Sequence, residues 1–433
     1  MTIVVLSILF LLAITLASGL WIGFSLYFVG FFALITFKNV PVEKLLAQLT
    51  WNVATTPELI ALPLFVLMGE ILFHSRLSSS LFTGLAPWTN KLPGGLLHVN
   101  VLGCTMFAAI SGSSAATTAT VGRITLTELF DRGYNRDMAM ASLAGAGTLG
   151  FLIPPSVILI IYGVLSETSI LKLFIAGIVP GIILAASFMI YIGVRASLDK
   201  TIVPIEIQTM SFIDKVRGLK HLAPVVFLIL LVLGSMYGGY ASPSEAAAVG
   251  VLGAVIISAL QGTMTRETAK KAALSAVRTY SMIGLIIAGA FFLSVAMGYL
   301  GIPSLVAREI GALGLSPFAL VLLLLVFYAI LGCVLEGLSV IVMTLPVTLP
   351  LIVAAGFDKV WFGIFLVIVV EMSLITPPVG FNLFVIQGLT GEPIGRIAKA
   401  TFPFFLIMLA MVFLMIFVPG VANYLPSIIK FNG

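Results

Sequence analysis

The stretch SLITPPVGFN at residues 373–382 sets two adjacent prolines inside an otherwise apolar run. A proline lacks the backbone donor that a helix needs, and its ring clashes with the preceding turn, so the pair breaks any helix that reaches it. The surrounding run, 361–388, is long and apolar enough for a membrane, where unpaired backbone is costly unless protein shields it or a ligand uses it. A break at that depth points to a site rather than to an anchor.

Composition puts the rest of the chain in the same setting. Of 433 residues, 60% are hydrophobic and only 9% charged, and the mean hydropathy is +1.21. Soluble domains carry about 25% charged residues. Too little polar surface remains to clothe a water-soluble globule, so the chain reads as an all-α polytopic membrane protein set in a lipid bilayer. The formal charge of +5 and a pI near 9.2 do not indicate nucleic acid. The bases collect in short loops without interleaved aromatics, the pattern that orients membrane proteins. The N-terminal run MTIVVLSILFLLAITLASGLW lacks the basic region of a signal peptide and reads as a retained first span. Cys104 and Cys333 sit singly in apolar runs and read as buried thiols. With His74, His98 and His221 near span ends, a metal centre of these residue types is not expected.

Crossing a bilayer takes about 17 or more apolar residues. Uninterrupted candidates are 3–19, 20–37, 57–73, 173–195, 221–238, 243–261, 279–299 and 400–419. Long but interrupted ones are 96–128, 138–163, 317–350 and 361–388. The amphipathic segment 41–52, PVEKLLAQLTWN, suits the membrane interface, with a polar loop as the alternative. The basic loops 195–220 and 262–278 are separated by two spans, so both face one side, and their charge makes it the cytoplasm.

The chain also resembles itself. Pro154 and Pro155 match Pro377 and Pro378 at a shift of 377 − 154 = 223 residues. The same shift carries Pro180 to Pro403, GYNR (133–136) to GFDK (356–359), and the span 20–37 onto 243–260. Four matches in register argue for duplication. If 96–128 and 317–350 crossed the membrane, each half would have six crossings and the halves would be parallel. If they dip in and return, each half has five and the halves are inverted. The second arrangement puts Arg132, Arg136, Arg396 and Lys399 in the cytoplasm and agrees better with the charge bias. It predicts a first inverted repeat at 1–195, a cytoplasmic linker at 196–220, a second repeat at 221–419 and a periplasmic tail at 420–433. Re-entrant hairpins fall at 96–128 and 317–350, proline-broken helices at 138–163 and 361–388, and both termini lie outside.

The first hairpin centre, AAISGSSAATTATVG (108–122), packs Ser111, Gly112, Ser113 and Ser114 where an entering helix must turn round. Close packing of small residues is the alternative reading. The second centre, LGCVLEGLSVIVM (331–343), offers Gly332, Glu336, Gly337 and Ser339. Each proline pair leaves carbonyls without partners before the break and free N–H groups after it. Carbonyl and hydroxyl oxygens suit a monovalent cation such as Na⁺, and half-helix N-termini suit an anion. Inverted repeats with broken helices and a midplane site are the pattern of secondary transporters. Glu336, in an apolar run, is either a functional carboxylate or a partner for donors at the turn, and Glu371 leans to the structural role. Arg123 either attracts an anion or snorkels to the interface. Asn382 either binds substrate or caps the broken helix, and Thr376 is the better ion ligand.

SGSSAATTATVG (111–122), GFLIPPS (150–156) with YG following, and TPPVGFN (376–382) together resemble the large membrane subunit of tripartite ATP-independent periplasmic (TRAP) transporters. The likeness covers essentially the whole chain and is nearest to sialic-acid members. It implies an elevator-type ion-transporter fold in a bacterial inner membrane, with Na⁺-driven uptake of an organic acid such as sialic acid or a C4-dicarboxylate. It also implies a separate small Q-type membrane subunit and a periplasmic substrate-binding protein. One ion site would comprise Ser111 and Ser114 with carbonyls around Gly147 and Ile153. The other would comprise Gly332 and Gly337 with Thr376 and carbonyls flanking Pro378, resting more on backbone. Substrate would lie between the tips, near Ser113, Thr117, Thr118, Glu336 and Asn382.

No G-x-x-x-x-G-K-[ST] loop is present, so ATP is not the direct energy source. An intramembrane serine protease would need a base beside its serine. His74 and His98 precede the hairpin, no lysine lies in it, and the chain is not read as an enzyme. A passive channel would need no ion-binding tips. A Na⁺/carboxylate symporter that dispenses with a binding protein is the main alternative.

Overall fold

A computed structural model describes residues 2–38, 40–204, 212–305, 308, 316–333 and 335–429. It is a helical assembly. Along the first half run α1 (Thr2–Ala17), α2 (Ile22–Phe37), α3 (Val42–Ala54), α4 (Ala61–Phe73), α5 (Leu77–Thr89), α6 (Leu97–Ser111), α7 (Ser114–Asp131), α8 (Arg136–Gly147), α9 (Val157–Ser166) and α10 (Ile170–Leu198). The second half gives α11 (Phe212–Tyr237), α12 (Pro243–Leu260), α13 (Arg266–Tyr299), α14 (Pro317–Gly332), α15 (Gly337–Ala354), α16 (Lys359–Ser373), α17 (Phe381–Thr390), α18 (Ile394–Phe417) and α19 (Gly420–Ile428).

Polar caps mark where the apolar runs begin. Asn135, Ser156 and Ser169 accept from the first turns of α8, α9 and α10, and Ser316 and Asp358 do the same for α14 and α16. Each satisfies a backbone donor that the helix itself cannot. Ser242 and Glu245 form a reciprocal capping box at α12.

The outer helices keep greasy faces. Leu6, Leu9 and Phe10 of α1, Phe24, Phe28 and Phe32 of α2, and Phe227 and Leu230 of α11 are exposed. So much apolar surface suits lipid rather than water. Glycines let part of this shell pack closely: a Cβ on Gly23 would fall 2.9 Å from the Leu285 backbone, and one on Gly289 would fall 2.6 Å from the Gly23 carbonyl oxygen. Inside sit α8 and α16, buried along nearly their whole length.

Both interrupted segments at 96–128 and 317–350 reverse direction. Helices α6 and α7 pack side by side, joined by Gly112 at φ +58° and Ser113. Helices α14 and α15 touch less, yet Tyr328 Oη lies 2.7 Å from Thr348 Oγ1 and accepts from Thr344 at 2.8 Å. In a straight helix, residues 328 and 348 would stand about 30 Å apart.

The broken spans are α8–α9 and α16–α17, interrupted at cis Pro154–Pro155 and cis Pro377–Pro378. At 10 residues each, α9 and α17 reach only part-way across a bilayer. The two spans run in opposite directions. Arg396, just past α17, pairs with Asp137 at the start of α8 at 2.6 Å, and Lys359 at the start of α16 donates to Ser166 O at the end of α9 at 3.1 Å. Each hairpin packs on the broken spans of both halves: α7 rests on α8 and on α17, and α15 rests on α16 and on α9. Adding 223 to the bounds of α7 (114–131) gives 337–354, which are the bounds of α15.

Several boundaries differ from the sequence reading. The basic loop 262–278 is mostly helix: α13 starts at Arg266 under a Thr265 cap, and Lys271 pairs with Glu267 one turn away at 2.6 Å. Of the linker 196–220, residues 212–220 already belong to α11, and 205–211 lie outside the described residues. The expected tail, 420–433, opens as α19, which packs on α10 and α16 and buries Ala422. Residues 430–433 of that tail lie outside the described residues. The segment 41–52 is helical, as α3, and the chain bends by 54° between it and the Pro57–Phe73 segment. Helix α5 was not anticipated, because its three serines and Pro87 dilute the apolar run.

Candidate functional site

Each hairpin tip is fastened to the broken span of its own half by one backbone hydrogen bond. Val157 N donates to Gly112 O at 3.3 Å, and Val379 N donates to Cys333 O at 3.2 Å. Both donors lie just beyond a proline pair, where the new half-helix has N–H groups to spare. Glycine permits the first approach: a Cβ on Gly150 would fall 2.5 Å from Ser114 Cα, and one on Gly112 would fall 2.8 Å from Pro155 O.

The first tip gathers oxygen atoms around the Ser114 hydroxyl, which is fully buried. Gly147 O lies 2.9 Å from it, at the end of α8. Glu371 Oε2 lies 2.9 Å away, reaching in from α16. Asn382 Nδ2, on α17, donates to it at 2.9 Å. Around this centre Thr118 Oγ1 donates to Ser114 O at 2.9 Å, and Phe151 N donates to Glu371 Oε1 at 2.9 Å. Asn382 is completely buried, and its Oδ1 has no hydrogen-bond partner among the described residues.

With Glu371 ionised, hydrogens run short in this cluster. A hydroxyl carries one proton. Ser114 accepts from Asn382 and has one hydrogen for two acceptors, Gly147 O and Glu371 Oε2. The remaining oxygen–oxygen contact and the orphaned Asn382 Oδ1 both suit a cation. A hard cation takes carbonyl, hydroxyl and carboxylate oxygens as ligands, so the residues present fit Na⁺.

Other predicted residues fall nearby in lesser roles. Ser111 Oγ pairs with Thr117 Oγ1 at 2.8 Å. Ser113 caps α7 by accepting from Ala116 N. Ile153 N donates to Leu149 O at 3.0 Å, closing the turn before the break. Arg123 is exposed on α7, away from the tip.

The second tip is built differently. A Cβ on Gly332 would collide with the Ser373 hydroxyl, and one on Gly337 would fall 2.7 Å from Val370 Cγ1, so both glycines let the tip press on α16. The Thr376 hydroxyl donates to Met372 O at 2.8 Å, leaving its lone pairs available beside Pro378. Glu336 caps α15, accepting from Ser339 N at 3.3 Å and Ser339 Oγ at 3.4 Å. Of its two sequence readings, the partner for donors at the turn is the one its hydrogen bonds display. Asn382, read as a substrate ligand or a cap for the broken helix, sends its side-chain nitrogen to Ser114 at the first tip.

The residue that sequence reasoning underplaced is Glu371. It lies six residues before Pro377, and read singly it leaned to a structural role. A carboxylate one turn or two before a helix break was the available signal. Among the described residues, Ser114 meets no histidine or lysine, so the hydroxyl has no base of the kind a serine protease uses.

A model of the family described as "Tripartite ATP-independent periplasmic transporter, DctM component" matches residues 9–421. The C4-dicarboxylate TRAP transporter large permease protein DctM of Pseudomonas aeruginosa is 34% identical over 370 residues, covering 85% of this chain and 86% of its own. The 2,3-diketo-L-gulonate TRAP transporter large permease protein YiaN of Escherichia coli is 30% identical over 413 residues, 93% of this chain and 94% of its own. The isethionate TRAP transporter permease protein DctMQ of Oleidesulfovibrio alaskensis is 29% identical over 95% of this chain but only 65% of its own length. Among solved structures, the YdaH transporter of Alcanivorax borkumensis superposes with a TM-score of 0.61 at 15% identity over 88% of each chain, a likeness of fold.

Proposed function

Because the chain belongs to the DctM component family of tripartite ATP-independent periplasmic transporters, we propose that it is the subunit that carries a small organic acid inward on sodium. The observation behind this reading is the Ser114 cluster, with more acceptors than hydrogens and one buried acceptor unpaired. The energy suffices. Each Na⁺ entering down a membrane potential of about −100 mV (inside negative) gains about 2.3 kcal/mol, and about 1.4 kcal/mol is already a tenfold gradient.

In this reading the hairpins and broken spans are one mobile body that moves ions and acid together. Helices α2, α4, α12 and α13 form the scaffold, completed by a separate small Q-type membrane subunit. The antiparallel broken spans, the 223-residue register and the seating of each hairpin on both broken spans support an inverted duplication. With the basic ends of α8 and α18 in the cytoplasm, both termini face the periplasm of a bacterial inner-membrane protein. A periplasmic binding protein delivers the cargo. The named substrates of the relatives favour a compact acid of C4-dicarboxylate size over sialic acid.

The test is uptake by proteoliposomes holding this chain, its small subunit and the cognate binding protein. Uptake of acids from a panel is expected only with an inward Na⁺ gradient, and Ser114→Ala is expected to cut it by about tenfold or more. Equal uptake in choline buffer overturns the sodium coupling. Equal uptake without the binding protein favours a stand-alone Na⁺/carboxylate symporter.

A further inference from the structure

We propose that Glu371 is the anionic ligand of the cation held at the first hairpin tip, so that this site is built by both halves of the chain. The inference rests on the sodium reading of the Ser114 cluster and goes beyond it. An ion site of neutral oxygens alone must draw the cation out of water on dipoles, and a carboxylate adds a full opposing charge.

Three observations converge on Glu371. It is almost wholly buried, at 1% exposure, and forms no ion pair among the described residues. A buried carboxylate without a counter-charge is expensive and marks a place where a cation is wanted. Its two oxygens are held in separate roles. Phe151 N–H takes Oε1, which fixes the group's rotation, and Oε2 is thereby aimed at the Ser114 hydroxyl. The third observation is independent of the carboxylate. Asn382 also comes from the second half, holds Ser114 through its amide nitrogen and leaves Oδ1 buried without a partner at the same spot.

The placement has a functional meaning. Ser114 and Gly147 belong to the first hairpin and the first broken span, whereas Glu371 and Asn382 flank the second proline pair on α16 and α17. A cation bound among them pulls the second broken span towards the first tip. Binding of the ion thus orders the wall on which the acid rests, even before the acid arrives.

The test is sodium binding, without transport, by the detergent-purified complex of this chain with its small subunit. Na⁺-dependent thermal stabilisation, against choline at equal ionic strength, gives the affinity. Glu371→Gln keeps the size and can still accept from Phe151 N–H and donate to Ser114, but removes the charge. It is expected to weaken sodium binding by about tenfold or more, equivalent to about 1.4 kcal/mol, with its melting temperature in choline equal to or above that of the parent. Ser114→Ala is expected to weaken sodium binding as well. If Ser114→Ala loses the sodium response while Glu371→Gln keeps the parental affinity, the proposal is overturned and the sodium reading stands. If the parent itself shows no response to sodium, that reading fails first. Should Glu371→Gln not yield folded complex, Glu371→Asp replaces it: the shortened arm retains the charge, so a lowered but measurable affinity supports direct ligation and an unchanged affinity overturns it.

Discussion

Gly147 shows how little room the first tip allows. Any Cβ there would collide with the Thr118 hydroxyl, which is itself committed to Ser114 O. Thr118 would have to swing away and abandon that bond. Overfilling a packed site costs about 1–3 kcal/mol. Gly147→Ala is therefore expected to lower the melting temperature of the purified complex and weaken its sodium response. Thr118→Ala in the same chain is expected to recover more than half of the lost stability, which a double-mutant cycle will read as coupling. If the two changes simply add, the collision is not what limits the site. At this scale the sequence disclosed part of the answer. The serines of 111–114 and the proline pairs announce themselves by type, because broken backbone and hydroxyls in an apolar run have few other uses. The meeting of Ser114 with Glu371 and Asn382 does not. These residues stand 257 and 268 positions apart, and no local period in a sequence encodes a contact made only after two halves fold together.

Among elements, the ends of the broken spans carry a testable arrangement. Asp137 on α8 and Arg396 on α18 pair at 2.6 Å, and Arg396 also meets Glu392 at 2.9 Å. Both members of the first pair are nearly half exposed, at 48% and 46%, so water and salt screen them and they add little to stability. Their value is positional. A short bifunctional maleimide joining Asp137→Cys to Arg396→Cys is expected to leave uptake near the level of the uncrosslinked double variant, because both residues belong to one moving body. Uptake abolished by this crosslink would show that the broken spans move against each other. The element scale is also where the sequence misled. Basic residues at 266–278 looked like a loop, yet α13 runs 34 residues through them. Charge says little about where a helix stops, since Lys and Arg are good helix formers and pair one turn apart.

For the whole molecule, the proposed mechanism makes one contact decisive, that between the hairpin-bearing body and the scaffold. Gly69 of α4 faces the tip of the first hairpin, where an added Cβ would lie 3.3 Å from Ser111 Cα. Backbone meets helix there with no side chain between, a smooth track if one surface must slide over the other. Gly69→Leu is expected to reduce uptake by about tenfold or more while sodium-dependent stabilisation survives, which separates movement from binding. Loss of both together would mean that Gly69 is needed for the folded tip and not for its travel. The broad plan of an all-helical chain with turned-back segments and two proline breaks was legible, because proline pairs and glycine survive as letters. Which faces touch was not, since apolar helices pack through shape rather than through a readable alphabet.

The seating of each hairpin on the broken spans of both halves reaches furthest. With α7 seated on α17 and α15 seated on α9, neither tip rests wholly on its own half. Filling one cradle therefore alters the footing of the other, and the pair should load as a concert rather than as two soloists. Under the proposed sodium coupling, a carrier wired this way is reluctant to depart half-laden, which guards a cell against leaking its sodium battery.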